Sequence, residues 1–131
     1  MRFLLPILFF TLMLTGCAAG AGTKEKGTYR QISMDEAVVM MKNESDYIIL
    51  DVRRPDEFAL GHIPGAVNVP NEIIGSDEIS ELPDKAQLIL VYCRSGRRSK
   101  EAAEKLVALG YTNIVEFGGI LDWTGETVVE C

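Results

Sequence analysis

Histidine is almost missing from this chain. One, His62, occurs in 131 residues, and the three cysteines form no Cys-x-x-Cys pair. Zinc centres draw on several nitrogen and sulfur ligands at short spacings, so a zinc site is not expected. Positive charge is also scarce: 13 Lys and Arg stand against 19 Asp and Glu, a formal net charge of −6. That balance argues against a nucleic-acid partner, which needs a basic surface. No internal repeat occurs, so a solenoid is excluded. An apolar run long enough to cross a bilayer is missing too. Phe3 to Leu14 covers 12 residues, where a spanning helix needs about 20.

What is present is the composition of a foldable domain, 47% hydrophobic and 24% charged, with length for one domain of ordinary size. The first residues stand apart. A basic start, Met1-Arg2, precedes the apolar FLLPILFFTLML, which fits the core of a secretory signal. The next residues, LTGC from Leu14 to Cys17, resemble the lipobox of bacterial lipoproteins, whose cysteine is acylated and becomes the first residue of the mature chain. The resemblance implies a signal peptide over 1–16, a lipidated Cys17 with a flexible tether over 17–27, and a folded domain over 28–131. AAGAGTKEKG would reach roughly 15–20 Å on average. Two or more acyl chains anchor a protein stably where one is marginal. The domain is therefore expected outside the cytoplasm, held to a membrane face by Cys17. An ordinary cleaved signal is the alternative.

Strand and helix signals alternate along the rest. A short strand is expected near Tyr29–Ile32. Ser33 with Glu36 has the form of a capping box, opening a helix over Met34–Lys42. YIILDV, Tyr47 to Val52, is a continuous apolar run ended by charge, which suits a strand buried on both faces. Pro55 opens a short helix to Leu60, and Ala66–Val69 reads as a short strand. Asn71–Leu82 is ambiguous between turns and short helices. AQLILVYC, Ala86 to Cys93, is a second buried strand. A helix follows from Arg98 or Ser99, with Ala102, Ala103, Leu106 and Val107 on its apolar face. Thr112–Phe117 is the last strand, and Gly118-Gly119 begins a turn through Trp123. Such alternation predicts an α/β layer fold, a largely parallel central sheet flanked by helices.

Chemistry concentrates after the second buried strand, in VYCRSGRRS. Cys93 sits at the carboxyl end of that strand, where open parallel sheets bind ligands. Arg94, Arg97 and Arg98 crowd behind it in an otherwise acidic protein, which points to a small anionic ligand. The amides of the loop and of the helix start would face the sulfur, an arrangement that binds anions and favours thiolate over thiol. Gly96 permits the tight turn, and Ser95 and Ser99 add hydroxyl donors. A buried structural cysteine beside a solvated basic turn is the bland alternative. Asp51 and Arg53 read as structural, holding the loop or pairing with Glu57. His62 reads as a hydrogen-bonding anchor and Trp123 as a core plug.

Three ordered segments resemble the rhodanese-like sulfurtransferases: DVRRPDEFALGHIPGAVNVP from Asp51 to Pro70, YCRSGRRS from Tyr92 to Ser99, and FGGILDW from Phe117 to Trp123. The resemblance implies the rhodanese-like three-layer fold. It also implies a mechanism in which the Cys93 thiolate attacks the outer sulfur of a donor such as thiosulfate and carries a persulfide. A thiophilic acceptor (cyanide, a thiol, or a protein sulfur acceptor) then removes the sulfur. Arg94, Ser95, Gly96, Arg97, Arg98 and Ser99 would bind the donor, Arg98 foremost, with no cofactor or metal. Phosphatases of related fold place arginine six positions after the cysteine, and here that position is Ser99. Two other readings stay open: a sulfane-sulfur carrier or partner-docking module without turnover, and a thiol redox protein using Cys93 and Cys131. The last needs the two Cα atoms within about 7 Å.

Overall fold

The computed structural model describes residues 27–129. Cys17, Cys131, the expected signal peptide and most of the tether lie outside the described residues. Five strands form one sheet: β1 (Arg30–Gln31), β2 (Tyr47–Asp51), β3 (Val67–Asn68), β4 (Leu88–Cys93) and β5 (Ile114–Gly119). The spatial order is β1-β5-β4-β2-β3, and every pairing is parallel. Helices α1 (Met34–Asn43), α2 (Pro55–Leu60) and α3 (Arg97–Ala108) complete the layers.

Both long apolar runs lie at the centre, side by side, with Ile49 opposite Leu90 and Leu50 opposite Val91. Alternate residues of each run serve opposite faces. Leu50, Ile89 and Val91 join Ala102, Ala103 and Leu106 of α3 in one core. Ile49, Leu90 and Tyr92 join Ala37 of α1 in the other, with Phe58 of α2 packed at its margin. A run apolar at every position is what two covered faces require. The helices are amphipathic for the same reason; in α3, Ser99, Ala102, Ala103 and Leu106 face inward.

Several boundaries depart from the sequence reading for identifiable reasons. Helix α3 starts at Arg97, because Gly96 takes a left-handed conformation (φ 111°) that turns the chain directly into the helix. Strand β5 begins at Ile114, since the Thr112 amide is used on the Lys85 carbonyl. It runs on through Gly119, which pairs with Cys93 across an irregularity in the ladder. Ser33 caps α1 by accepting the Glu36 amide at 3.1 Å. Asn71–Leu82 holds one short 3-10 turn, Asn71–Ile73, and no α-helix. Trp123 is half-buried at the edge of the core and donates its indole N–H to the Glu126 carbonyl. It is therefore a marginal lid and not the core plug expected.

The topology picks out one place on the sheet. The chain leaves β2 toward β3 on one side and leaves β4 toward β5 on the other. The loops after β2 and β4 thus part in opposite directions, leaving a crevice at the strands' carboxyl ends, the usual ligand position in such sheets.

Candidate active site

Cys93 ends β4 at that crevice and is buried. The loop Arg94-Ser95-Gly96 folds back over it, and the Gly96 amide donates to Cys93 Sγ at 2.9 Å. An N–H aimed at sulfur stabilises negative charge there. The α3 N-terminus begins at the next residue, and its free amides and dipole act in the same sense. Behind the sulfur, Ser99 Oγ lies 3.4 Å from Sγ.

The loop is held from two sides. Leu121, in the turn after β5, donates its amide to the Arg94 carbonyl at 3.2 Å. Gly119 packs so close beneath Arg94 and Ser95 that a Cβ there would fall 2.6 Å from Ser95 Cα and closer still to the Arg94 carbonyl. The glycine pair after Phe117 is therefore the floor on which the cysteine loop rests.

The three loop arginines have different fates. Arg98 makes a two-pronged ion pair with Glu57 of α2, Nη1 to Oε1 at 2.6 Å and Nη2 to Oε2 at 3.0 Å. This bond crosses the crevice and ties α3 to α2. Arg97 is exposed and makes one loose contact with Glu101 at 3.5 Å. The Arg94 guanidinium has no partner among the described residues and is exposed. Together with Ser95, Arg54, Glu57 and Glu72, the three line an open polar hollow of about 580 Å³. Glu57 is neutralised by Arg98, so the hollow presents net positive charge. A larger hollow of about 950 Å³, lined by residues such as Tyr29, Glu104 and Val107, has no cysteine or arginine in its lining.

Glu57 does not pair with Arg53, as the sequence had suggested. Arg53 grips Asp51 through Nε and Nη2 and donates to the Gly61 carbonyl at 2.7 Å. Both are buried and both are structural. Beside them Tyr92 Oη accepts the Ile63 amide. Burial, then the charge of Asp51, pushes the Tyr92 phenol far above its ordinary value, so it stays protonated. His62 is an anchor: its ring stacks on Phe58 and Nδ1 lies 2.8 Å from the Phe58 carbonyl, which makes Nδ1 the protonated nitrogen.

The hydrogen bonds from Arg98 hold the Glu57 carboxyl below its ordinary value of 4.5. A lowered carboxylate adds stability above its unfolded value and loses it as the pH falls through the folded one. Wild type should therefore exceed Glu57→Gln in stability at neutral pH, and the gap should close in acid below about 4.5. Urea unfolding at both pH values measures it; an equal gap at both would show that the ion pair does not contribute.

One residue of the site escaped the sequence reading. Glu116 lies in β5, is buried, and accepts from both Ser99 Oγ and the Gly118 amide, each at 2.7 Å. An acidic residue within an apolar strand, IVEF, was the available signal.

Comparison with known proteins bears on this arrangement. The profile of the rhodanese-like domain matches residues 33–126. The chain belongs to the rhodanese-like domain family. Its relatives include the thiosulfate sulfurtransferase PspE of Escherichia coli, 37% identical over 73 residues, which are 56% of this chain and 70% of that protein. A sulfurtransferase of Allochromatium vinosum is 34% identical over 94 residues, 71% of this chain and 86% of its own. Among solved structures, a rhodanese with anions from E. coli superimposes with a TM-score of 0.59 at 33% identity, over 64% of this chain and 99% of that one. The rhodanese-like fold and a general sulfur-transfer function follow from these matches.

Proposed function

We propose that this rhodanese-like protein is a thiosulfate or polysulfide sulfurtransferase that carries sulfur as a Cys93 persulfide. The observation that carries the reading is the Gly96 amide 2.9 Å from a cysteine sulfur at the start of α3. That position suits a sulfur anion as nucleophile and as leaving group. In the first half-reaction Cys93 Sγ attacks the outer sulfur of the donor and sulfite leaves with the electron pair of the broken S–S bond. In the second, an acceptor nucleophile takes the outer sulfur and Cys93 leaves as thiolate. Arg94 and Arg97, exposed on the rim, meet the incoming anion. Arg98 adds its charge from a fixed place beside the loop, held there by its two hydrogen bonds to Glu57. Ser95, Gly96 and Ser99 complete the binding loop, and the acceptor is cyanide, a small thiol or a protein thiol.

Purified protein lacking residues 1–17 should convert thiosulfate and cyanide to sulfite and thiocyanate. Arg94→Ala should raise KM several-fold with little change in kcat, because a rim charge binds ground and transition states alike. No thiocyanate under saturating donor would remove the catalytic reading in favour of a sulfur carrier or docking module.

The lipobox-like LTGC motif supports a second part of the proposal, an extracytoplasmic domain anchored through lipid at Cys17. Intact-mass measurement of the membrane fraction should show acylated Cys17. A soluble, unmodified chain would overturn the anchor.

A further inference from the structure

We infer that Cys93, Ser99 and Glu116 form a proton relay, with Glu116 taking the thiol proton through Ser99 and returning it when the persulfide is discharged. The inference rests on Cys93 being the sulfur-carrying nucleophile. Ser99 touches the reacting sulfur; Glu116 acts through Ser99 and is a positioning residue.

The geometry is a continuous chain. Cys93 Sγ is 3.4 Å from Ser99 Oγ, a distance suited to a thiol donor. Ser99 has one hydroxyl hydrogen and three oxygen acceptors in reach: Glu116 Oε2 at 2.7 Å, the Gly96 carbonyl at 2.9 Å and the Gly118 carbonyl at 3.4 Å. Glu116 is the nearest of these and the one that can carry charge. When Ser99 donates to it, a serine lone pair is left to face Cys93. All three side chains are buried, at 1%, 0% and 3% exposure.

The chemical question is why a carboxylate stands there. Burying a charge costs heavily unless it is paired, and no cation among the described residues pairs with Glu116. Its partners, Ser99 Oγ–H and Gly118 N–H, are both donors to Oε2. A glutamine oxygen would accept both without the charge. What glutamine cannot do is hold a proton. The other titratable groups bearing on the chain are Tyr29, whose phenol is raised by burial and then by the charges of Glu104 and Glu116, and Arg98, which is raised first by its hydrogen bonds to Glu57 and to a lesser degree by Cys93.

The steps balance. The Cys93 S–H bond breaks; its proton goes to Ser99 Oγ as the serine proton passes to Glu116 Oε2. The thiolate pair then forms the new S–S bond and sulfite departs with the old one. At discharge, Cys93 leaves with the S–S pair and recovers the proton from Glu116 through Ser99. Nothing is oxidised or reduced by the relay itself.

Two readouts test it. Alkylation of Cys93 by iodoacetamide needs no sulfur donor, and single-turnover loading with thiosulfate followed by mass spectrometry does. Glu116→Gln should slow both by about 10²-fold, the low end for general-base catalysis, while unfolding near the wild-type temperature and leaving the thiosulfate KM unchanged. Ser99→Ala should slow both similarly, and the double variant should be no slower than either single one. Wild-type rates in Glu116→Gln, or in Ser99→Ala if the former does not fold, would overturn the relay. The two readings separate cleanly. A wild type that alkylates faster than Glu116→Gln but never loads sulfur keeps the proton path from Cys93 to Glu116 and sinks the sulfurtransferase, and with it the return of the proton at discharge. Equal loading in both keeps the sulfurtransferase and sinks the relay.

Discussion

Cys93→Ser should abolish thiosulfate-dependent sulfur transfer, a loss of at least about 10³-fold, while the protein stays folded. Serine is close to cysteine in shape, and its hydroxyl can accept the Gly96 amide that now points at the sulfur. The buried strand end therefore keeps its hydrogen bond. What disappears is chemistry. A hydroxyl has far less anionic character than a thiol at neutral pH and forms no persulfide, so the covalent route closes. The comparison requires steady-state transfer to cyanide beside a urea unfolding curve. Transfer near the wild-type rate in a folded Cys93→Ser protein would remove Cys93 from the mechanism.

The second large effect is expected at a residue that does no chemistry. Gly119→Ala places a methyl group within 3 Å of the backbone of both Arg94 and Ser95. Backbone atoms cannot swing aside as a side-chain tip can. Either the Cys93–Gly119 register breaks or the cysteine loop lifts off β5. Overpacking of this kind costs about 1–3 kcal/mol, and more when backbone must shift. Displacing the loop by about 1 Å would also misplace the Gly96 amide and lower kcat/KM by roughly 10²-fold. Gly118→Ala is a useful partner. An added Cβ there meets nothing within 4 Å, so its cost comes from the left-handed φ of 98°. Unfolding midpoints and activities of the two variants separate steric displacement from backbone strain. An active, wild-type-stable Gly119→Ala protein would show that the loop does not rest on this floor.

Much of the architecture was legible because its causes are local. Two runs with consecutive apolar residues, Tyr47–Leu50 and Leu88–Cys93, suit strands covered on both faces, and β2 and β4 pair side by side within the sheet. Ser33, Pro55 and the 3.6-residue spacing of Ala102, Ala103 and Leu106 fixed the helices. Cys93 was legible because strand end, glycine and basic residues fall together in a few positions. The partners were less so. Arg98 and Glu57 are 41 residues apart, and nothing in either segment says which carboxylate meets which arginine; Asp51 claimed Arg53 by being two residues away. Glu116 was hidden for a different reason. Its role depends on Ser99 of α3 packing against β5, a contact that tertiary packing alone creates.

Mass spectrometry of the folded protein after brief exposure to thiosulfate is the most direct test of the account. One added sulfur should be found on the peptide containing Cys93, and cyanide should remove it with formation of thiocyanate. An unmodified Cys93 in protein that nonetheless turns over thiosulfate, or a Cys93–Cys131 disulfide in place of the persulfide, would contradict it.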